Sequence, residues 1–434
     1  MSIKSFLKSL AGKLPAYLGI RASFISFKYR LGKSYIAYRE AASGIDNRDE
    51  IFIQVKSLVE YCQKNIPFYR KFYQEKGFDF EQLSCFEDLQ NIPVVTKADL
   101  QNIDFNDRNS GNGIVTNTGG TSGQPLKLML DHKAYAREWA HMHSIWERIG
   151  YQTNSIKLTI RGMNLGSKPL NYNFIHNEFQ VNAYCDFSLI VKELPKVIKK
   201  YRIEYLHGYP SGIYEFIKQM KKESPELLKL IKQNLKGVFF GSEYPAPIYR
   251  NFVEAELCVP TISWYGHTEM AVLAPEREEP FVYFPFQSYG YTEAVEVNGK
   301  HHLVGTTIHN RIGPLIRYDT GDLIEPVSYK DGLLESFRIA EGRTGEFVTD
   351  LNGRNISLTA LIFGRHHPLF EHADFVQVKQ KAEGYLTVYV TTQNENLDFE
   401  TLFDSSGINM RIDFELLRKP FKTKSGKVPL LVKG

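Results

Sequence analysis

The stretch NTGGTSGQPLKL, residues 117–128, combines glycine, hydroxyl residues and proline in a way that suits phosphate binding. Gly and Pro disfavour helices and central strands, so we expect a loop. Glycines let the backbone approach a ligand closely, and converging backbone N–H groups bind phosphate oxygens with help from hydroxyls. The candidate residues are Thr118, Gly119, Gly120, Thr121, Ser122 and Gly123. The GK[ST] ending of the Walker motif is missing, which disfavours a Walker-type nucleotidase, and a plain turn between two strands is the alternative.

Four further polar motifs follow this stretch at large separations. They are YGHTEM at 265–270, RYDTGDL at 317–323, GRTGEF at 342–347 and KTKSGKV at 422–428. Each has a structural explanation when it is taken singly. Tyr265 suits a core, Asp322 a turn, Glu269 a helix start and Lys427 a solvated surface.

Taken together and in order, the five motifs resemble those of the adenylate-forming superfamily, which includes acyl-CoA synthetases and nonribosomal adenylation domains. Four more stretches are similar to the phenylacetate-CoA ligase-like branch and its CapK-like members of capsular polysaccharide biosynthesis. They are IPFYRKFYQEKGF, LQNIPVVTKADL, YLHGYPSGIYEF and GSE. The resemblance spans residues from about Asn65 to Lys427, nearly the whole chain.

The resemblance assigns the nucleoside of ATP to Gly241, Ser242, Glu243, Tyr265, Gly266, Asp322 and Arg343. Within this set, the GSE triplet would line the adenine pocket, and Tyr265 would stack its flat ring on the adenine. Asp322 would accept hydrogen bonds from the ribose hydroxyls, with Arg343 assisting.

The same resemblance implies a phosphate and metal site. Residues 118–123 would hold the β- and γ-phosphates, Thr268 would reach the α-phosphate, and Glu269 would bind Mg²⁺, which prefers carboxylate and phosphate oxygens. Lys427, Thr268 and Glu269 are the catalytic candidates. Lys427 would neutralise the charge that grows on the α-phosphate and the carboxylate.

Two positions depart from the family pattern. Gln124 stands where the family often has Lys, so less positive charge would meet the pyrophosphate, and Lys127 is the candidate replacement. Gly345 stands where the family usually has Asp, at the hinge of the small domain. Glycine tolerates the backbone change that a hinge needs, so rotation between half-reactions and an altered second half-reaction both stay open.

We place the pocket for the carboxylic acid substrate in the segment 161–187, as a hypothesis that no motif supports. Its candidate residues are Arg161, Asn164, Tyr172, Phe174 and Asn182. Arg161 would pair with an anionic substrate, and the alternative is an ordinary surface arginine. His267, His207 and His176 lack metal-like spacing, so they are interpreted as pocket or surface residues and not as catalytic groups.

These residues predict an adenylate-forming ligase, either acid–CoA ligase-like or acid–amine. ATP and Mg²⁺, with coenzyme A as a candidate, would serve the activation of a carboxylic acid as an acyl-adenylate with release of pyrophosphate. The acyl group would pass to a thiol or an amine, in the biosynthesis or modification of cell-surface polysaccharide. Two alternatives stay open: a non-catalytic nucleotide-binding scaffold of the same fold, which Gln124 and Gly345 would favour, and nucleotidyl transfer to a hydroxyl.

The elements that must position these residues alternate between strand and helix. SIKLTI, IEYLHGYP, LKGVFFGSE and PTISWYGHTE read as strands that run into loops, with helices between them. This pattern predicts an α/β fold with parallel sheets in a large N-terminal part of several subdomains, because ligands collect at the carboxyl ends of such strands. Short strands at 281–323 and a small, mobile α+β C-terminal domain follow. The expected division is a basic helical segment 1–48, an adenylating domain 49–342 and a lid domain 343–434.

Net charge, cysteine content and the length of apolar runs argue against several classes of protein. The 434 residues carry a net charge of +4, but residues 1–39 hold eight basic residues and no acid, which leaves −4 for the rest. A mildly acidic body argues against nucleic-acid binding. Four Cys without a CxxC pair argue against structural zinc and a disulfide scaffold, and no apolar run is long enough for a membrane helix.

The basic N-terminus supports one hypothesis on location. Apolar residues recur at helical spacing at Ile3, Phe6, Leu7, Leu10 and Leu14. A basic amphipathic helix lies on anionic membrane surfaces. We therefore expect a cytoplasmic protein, with peripheral contact at the inner face of the membrane through residues 1–39. A helix packed on the body with its basic face in solvent is the alternative.

Overall fold

A computed structural model describes residues 15–26, 29–30, 32–44, 46–118, 126–161, 163, 165–182, 184–340, 347–362, 365, 367–373, 375–394, 396–421 and 430–432. Its α-helices are α1 (Ala16–Ala22), α2 (Lys33–Ala42), α3 (Arg48–Asn65), α4 (Pro67–Glu75), α5 (Lys97–Gln101), α6 (Ala134–Glu147), α7 (Phe187–Lys200), α8 (Pro210–Glu223), α9 (Pro225–Lys232), α10 (Pro247–Leu257), α11 (Leu358–Ile362) and α12 (Phe399–Leu402). Short 3₁₀ helices lie at Phe80–Gln82, Phe86–Asn91 and Pro368–Glu371.

The strands up to the middle of the chain are β1 (Ile114–Asn117), β2 (Lys127–Leu130), β3 (Ile156–Ile160), β4 (Leu170–Asn173), β5 (Glu178–Val181), β6 (Ile203–Gly208), β7 (Gly237–Phe240), β8 (Thr261–Gly266) and β9 (Leu273–Pro275). The later strands are β10 (Tyr291–Val297), β11 (Lys300–Thr306), β12 (Tyr318–Lys330), β13 (Leu333–Ile339), β14 (Phe347–Thr349), β15 (Asn355–Ser357), β16 (Phe375–Ala382), β17 (Tyr385–Thr391) and β18 (Arg411–Leu417).

A seven-stranded sheet in the order β4-β5-β3-β6-β7-β8-β9 forms the centre of the large N-terminal part. The five inner strands are parallel, while β4 and β9 pair antiparallel at the two edges. The predicted α/β fold with a parallel sheet is therefore confirmed. Helices α7, α8 and α10 provide the crossovers that parallel strands require.

The two faces of this sheet differ in chemistry. The register places Lys157 of β3 opposite Glu178 of β5 and Tyr205 of β6, and Thr159 opposite Gln180 and His207. These side chains share one face because alternate residues of a strand point the same way. The residues between them face an apolar core with helices α7 to α10; they include Leu158, Ile160, Phe179 and Leu206.

A second core joins the N-terminal helices to a four-stranded antiparallel sheet, β10-β11-β12-β13. Tyr69 of α4 donates its hydroxyl hydrogen to the Pro314 carbonyl at 3.0 Å and accepts from the Ile316 N–H at 3.0 Å. Thr96 caps α5 with a reciprocal hydrogen-bond pair to Asp99.

The C-terminal part has a core of its own around a three-stranded sheet, β16-β17-β18. Strands β16 and β17 form an antiparallel pair in this sheet. The Arg365 guanidinium lies 3.8 Å from the ring centroid of Tyr184, and Arg354 donates to the Cys185 carbonyl at 3.3 Å. These contacts seat the smaller part beside the carboxyl end of β5.

Within the described ranges, no helix combines the length and the apolar character that crossing a membrane would need.

Candidate active site

Four parallel strands end at one edge of the central sheet, and the polar loops that follow them lie there together. Strands β3, β6, β7 and β8 end at Ile160, Gly208, Phe240 and Gly266. The residues that come next include Arg161, Tyr209, Ser242 and His267. Ligands of open α/β sheets bind outside the carboxyl ends of the strands, so this edge is the candidate site.

Tyr265 and Asp322 meet at this edge, as the sequence predicts. The Tyr265 hydroxyl donates a hydrogen bond of 2.7 Å to Asp322 Oδ2. Tyr265 is the last but one residue of β8, and Asp322 lies on β12 of the antiparallel sheet. A flat aromatic ring and a carboxylate are thus held side by side from two different sheets.

Glu269 is held by two partners in the turn after β8. Its Oε2 lies 2.9 Å from Nδ1 of His267, and the Tyr318 hydroxyl donates to its Oε1 at 3.3 Å. The N–H of Val272 donates to His267 Nε2 at 3.2 Å, so Nδ1 carries the proton and donates it to Glu269. Burial is the largest single influence and raises the pKa of Glu269, but the hydrogen bond and electrostatic interaction with His267, a backbone hydrogen bond and the charge of Lys97 together outweigh it and lower the pKa to about 2.

His267 therefore has a role that the sequence analysis did not assign. It fixes the rotamer of Glu269 and keeps the carboxylate ionised. The signal was present, since His267 lies two residues before Glu269 in the same motif. Thr268 lies between them with its side chain exposed, and Gly266 is also exposed at the strand end.

Arg161 and Ser242 link the ends of β3 and β7. Arg161 Nη2 donates to Ser242 Oγ at 3.0 Å, and its guanidinium lies 5.7 Å from the ring centroid of Tyr209. Ser242 has a left-handed backbone with φ of 67°, which turns the chain sharply after the strand. A Cβ on Gly241 would lie 2.6 Å from the Trp264 ring, so only glycine fits there.

Glu243 is buried, and its carboxylate is engaged at the start of α8. Its Oε2 accepts from Ser211 Oγ at 2.6 Å and from the Ser211 N–H at 3.3 Å. A carboxylate at a helix N-terminus is favourable because the first N–H groups lack helical partners. This contact accounts for Glu243 structurally, and the part it would play beside an adenine stays a prediction.

Glu138 is a further acidic residue of the site that the sequence analysis missed. It lies on α6 and accepts a hydrogen bond from the Tyr289 hydroxyl. Burial raises its pKa, and the hydrogen bond from Tyr289 and the charges of Arg137, His267 and Arg161 oppose that rise. Glu138 is therefore within electrostatic reach of both halves of the strand-end cluster.

The predicted acid pocket is not assembled from its described members. Tyr172 pairs with Phe179 across β4 and β5, so its ring lies on the apolar face of the sheet, opposite the side chains of Lys157 and Thr159. Phe174 contacts the Arg30 guanidinium of the N-terminal segment, at 5.9 Å.

Asn182, also assigned to that pocket, forms hydrogen bonds with the backbone of the neighbouring loop. Its amide donates to the carbonyls of Gly166 and Lys168 at 2.9 and 3.1 Å. Strand parity is the reason for Tyr172, which pairs with Phe179 on the apolar face, whereas Asn182 is occupied by the carbonyls of its own loop. Of the described candidates, Arg161 alone remains at the strand ends.

Several predicted residues lie outside the described residues: Gly119, Gly120, Thr121, Ser122, Gly123, Gln124, Asn164, Arg343, Gly345 and Lys427. The two ends of the glycine-rich stretch are described. Strands β1 and β2 pair antiparallel on either side of it. The Thr118 hydroxyl accepts from the Leu126 N–H at 2.8 Å, which closes the base of the loop. One lone pair of the hydroxyl is used there, and its own hydrogen is a separate donor.

The described residues of the site could bind Mg²⁺ together with a phosphorylated substrate. In the described part of the chain, no three His, Cys, Asp or Glu side chains form a metal cluster. Glu269 supplies one ionised carboxylate, and Mg²⁺ is commonly held by one or two carboxylates together with substrate phosphates and water. The site therefore suits a metal carried in with a phosphorylated substrate, and not a dedicated protein cage.

A cleft of about 620 Å³ runs between the large part and the C-terminal part. Ile160, Val181 and Tyr209 line it from the large part, and Asp350, Arg354 and Asn409 from the smaller one. Because Tyr209 also contacts Arg161, the cleft reaches the same strand ends as the residues above.

No family model and no curated protein matches this sequence. Solved structures of 2-hydroxyisobutyryl-CoA ligase do match in fold. In its postadenylation state with R3-HIB-AMP, that enzyme is 17% identical, with 89% of each chain covered and a TM-score of 0.53. In the thioesterification state with 2-HIB-AMP and CoA it is 18% identical, with 89% of each chain covered and a TM-score of 0.53.

An open conformation of the same ligase, with 2-HIB-AMP and CoA, is 18% identical and covers 89% of this chain and 91% of its own, at a TM-score of 0.50. The chain shares this fold. At such low identity the likeness establishes the architecture, a large α/β part followed by a smaller C-terminal part, over nearly the whole length.

Proposed function

We propose that this protein is an ATP-dependent, adenylate-forming ligase that activates a carboxylic acid. The observation that carries the proposal is the assembly at the end of β8. Tyr265 is joined there to Asp322, and the ionised Glu269 lies three residues beyond Gly266 and two beyond His267. An aromatic ring, a carboxylate for hydroxyl groups and a carboxylate for a metal–phosphate complex are the groups that ATP requires.

In this proposal the nucleoside is held by Tyr265 and Asp322. The ring of Tyr265 stacks on the adenine, and Asp322 accepts hydrogen bonds from the ribose hydroxyls. The hydrogen bond between the two side chains fixes both before ATP arrives, which lowers the entropy that binding must remove. Arg343 assists Asp322, and Gly241 and Ser242 form the wall next to Trp264.

The phosphates are held by the glycine-rich loop, Thr268 and Lys427. Glu269 would hold Mg²⁺ beside the phosphates, and the bound metal would supply positive charge to offset the charge that develops on them. A carboxylate is a poor acyl donor because oxide is a poor leaving group. Attack of the substrate carboxylate on the α-phosphorus forms a mixed anhydride with AMP and releases pyrophosphate, and the protein contributes position and charge neutralisation.

The inter-domain cleft supports a second substrate. A thiol or an amine that enters it would reach Tyr209, whose ring lies next to the Arg161 guanidinium. Attack on the acyl carbon then releases AMP. Coenzyme A is the proposed thiol, the C-terminal domain from residue 343 acts as the lid, and Gly345 is its hinge. A place in cell-surface polysaccharide biosynthesis, as in the CapK-like branch, rests on the sequence resemblance alone.

The proposal is tested by isotope exchange between ATP and pyrophosphate with a broad panel of carboxylic acids. We expect exchange with at least one acid class. Replacing Asp322 by Asn or Glu269 by Gln should reduce kcat/KM by at least about 100-fold, the scale of losing one group that stabilises the transition state. Tyr265→Phe keeps the ring and loses only the bond to Asp322, so a smaller loss of about 10-fold is expected.

Glu279→Gln is the matched control, because Glu279 is an exposed carboxylate paired with Arg338 away from the strand ends. Absence of exchange with every acid, with ATP binding retained in the Glu269 and Lys427→Ala variants, would favour a non-catalytic scaffold. A product that carries AMP on a hydroxyl would instead show nucleotidyl transfer, and product mass separates the two.

We also propose that the N-terminal segment binds an anionic membrane surface, such as the inner face of the cell membrane. Helix α1 packs its inner side on the body, where a Cβ on Gly19 would lie 2.4 Å from the Tyr172 ring. Its outer side continues into exposed apolar residues, namely Tyr17, Leu18, Phe24, Ile25 and Tyr29. Phe24 is 74% and Tyr29 77% exposed, on a segment with eight basic residues and no acid. Aromatic groups beside basic ones suit the interface of anionic lipids.

Sedimentation with vesicles tests this second proposal. Binding is expected to vesicles with phosphatidylglycerol and to fall by at least 10-fold on pure phosphatidylcholine. Phe24→Asp should abolish it, whereas Tyr329→Asp, at another exposed aromatic on β12 outside the N-terminal segment, should not change it. Equal binding of both variants would contradict the proposal, and it would leave the adenylation proposal untouched.

A further inference from the structure

Two buried ring nitrogens between α6 and the central sheet have no hydrogen-bond partner among the residues that the structure describes. They are Nε1 of Trp146 and Nδ1 of His207. Trp146 is fully buried, and His207 is 3% exposed. Buried polar groups are nearly always hydrogen-bonded, and leaving one unpaired costs stability. Two such atoms on neighbouring elements therefore require an explanation.

The two rings belong to one layer between α6 and the sheet, which we call the polar layer: Trp146, Tyr151, Lys157, His176, Glu178 and His207. The rings of Trp146 and His207 meet edge to face with centroids 5.2 Å apart. Lys157 Nζ lies 5.1 Å from the Trp146 centroid and donates to the Tyr151 hydroxyl and the His176 carbonyl at 3.2 and 2.6 Å. Nδ1 of His176 is also buried without a partner.

The charges of the polar layer balance. Lys157 lies opposite Glu178 in the register of β3 and β5. The Glu178 carboxylate accepts from Thr159 Oγ1 at 2.7 Å and from the side-chain amides of Asn173 and Gln180 at 3.1 and 3.2 Å. Burial lowers the pKa of His207 well below its usual range, so its imidazole is neutral. A neutral layer with free nitrogen atoms suits uncharged hydroxyl groups better than a second carboxylate or an alkyl chain.

The polar layer lies directly behind the candidate active site. Thr159 and His207 are opposite each other on β3 and β6, and the next side chains on the same face are those of Arg161 and Tyr209. Two residues of a strand span about 6.6 Å. An acid whose carboxylate lies near Arg161 would place its other end in the layer, at the distance of a short-chain or sugar acid.

We propose that the acid this protein activates is a hydroxylated carboxylic acid, a hydroxy acid or sugar acid, whose hydroxyl groups are bound by Trp146 Nε1 and His207 Nδ1. A hydroxyl accepts from the indole N–H and also exchanges a hydrogen bond with an imidazole nitrogen, so it satisfies both orphaned atoms. This inference rests on the adenylation proposed above and specifies the substrate class of that site.

Matched pairs of acids test the inference in the exchange assay: 4-hydroxybutyrate with butyrate, gluconate with hexanoate, and glucuronate with cyclohexanecarboxylate. The wild type should prefer a hydroxylated member by at least 10-fold in kcat/KM, because a site built for a hydroxyl leaves its own groups unpaired with the analogue that lacks one. His207→Leu and Trp146→Phe should remove that preference, so that the ratio of kcat/KM between the two members of a pair falls towards one.

Tyr73→Phe is the matched control. The Tyr73 hydroxyl is likewise buried without a partner, but it lies in the core around α3 and α4. This variant should keep the preference of the wild type.

Melting temperature gives a readout that does not depend on turnover. Without acid, His207→Leu should melt at the same temperature or a few degrees higher, because it removes an unpaired buried group. With ATP present, the preferred hydroxylated acid should raise the melting temperature of the wild type but not of His207→Leu.

The outcomes separate the two proposals. Exchange that favours plain acids, or a preference for hydroxylated acids that both variants retain, overturns the inference while adenylation stands. A marked fall in the melting temperature of His207→Leu overturns it as well, because His207 would then be a structural residue. If no acid supports exchange and none shifts the melting temperature, both the adenylation proposal and the proposed preference for hydroxylated acids are wrong.

Discussion

On strands β3, β5 and β6 the central sheet has one apolar face and one face with several buried polar groups, and alternate residues supply the two; on β7 and β8 the second face is apolar, with Phe239 and Ile262. On the apolar face, Leu158, Ile160 and Leu206 pack against helices, and they stabilise the fold through the burial of apolar surface. On the polar face, Lys157, Glu178 and His207 lie equally deep but carry a balanced charge pair and an orphaned nitrogen. The first face holds the fold together, and the second accepts a cost in stability to keep polar groups ready behind the strand ends.

The largest expected effect is at the point where β3 and β6 touch. A Cβ on Gly208 would lie 2.1 Å from the Ile160 carbonyl oxygen, which belongs to the backbone and cannot move aside. Gly208→Ala should destabilise the protein by more than about 4 kcal/mol or prevent folding, as rare severe substitutions do. Urea unfolding followed by circular dichroism measures this.

Gly212→Ala is the control for that variant, because its Cβ would meet Ile160 only at an ordinary 3.8 Å. Since Gly212 lies inside α8, alanine there should be neutral or stabilising by about 0.5 to 1 kcal/mol. Equal losses in the two variants would show that the close strand contact is not what Gly208 provides.

A cavity on the apolar face should lower stability and leave substrate preference alone. Leu206 is fully buried, so Leu206→Ala should lower the free energy of unfolding by about 3 kcal/mol through lost burial and the cavity left behind. The ratio of kcat/KM between paired acids should stay at the wild-type value. A changed ratio would contradict the division of labour between the two faces.

Removing Lys157, which faces Glu178 across β3 and β5, should lower the free energy of unfolding somewhat less than Leu206→Ala does. Lys157→Met leaves the Glu178 carboxylate buried without its cation, a change that usually costs about 3 to 5 kcal/mol. Three hydrogen bonds to Glu178 remain, so we expect about 2 to 3 kcal/mol here. The double variant Lys157→Met with Glu178→Gln should be more stable than Lys157→Met alone, and a sum of two independent losses would sink the idea of a coupled pair.

The smallest effect is a dependence on pH. Burial lowers the pKa of Lys157 to about 8, below its value of about 10.5 in the unfolded chain. The unfolded state therefore binds more protons between these values, and stability rises with pH in that window. From pH 7 to pH 9 the wild type should gain about 1 to 2 kcal/mol relative to Lys157→Met. A difference that stays constant with pH would show that Lys157 titrates normally.

Much of the framework could be predicted from the sequence. The strands that became β3, β6, β7 and β8 ended where the polar motifs begin, and Thr96 marked the start of α5. Those features are local, since apolar runs, turn residues and caps act within a few positions. The pairing of Tyr265 with Asp322 also followed from the motifs, because the resemblance assigned both to one nucleoside.

The faces of the sheet could not be predicted in the same way. Tyr172 and Arg161 were grouped by closeness in sequence, yet the register of β4 and β5 puts Tyr172 on the apolar face. A usable signal did exist in the alternation of polar residues at 157, 159 and 161 and at 178, 180 and 182. Parallel strands buried on both faces are normally apolar throughout, so this alternation marks a polar face. No sequence pattern pointed to Glu138, since its position at the site depends on how α6 packs over the strands.

The core around α3 and α4 has a consequence for how the chain is made. Tyr69 bonds to Pro314, 245 residues away, and Arg317 bonds to the Ile92 carbonyl, 225 residues away. Ribosomes add about 5 to 20 residues per second, so Phe68, Tyr69 and their neighbours wait for roughly 10 to 50 s before those partners are synthesised. Their apolar side chains are open to chaperones during that time. Synthesis of the antiparallel sheet is thus the step that commits the N-terminal helices to their native packing.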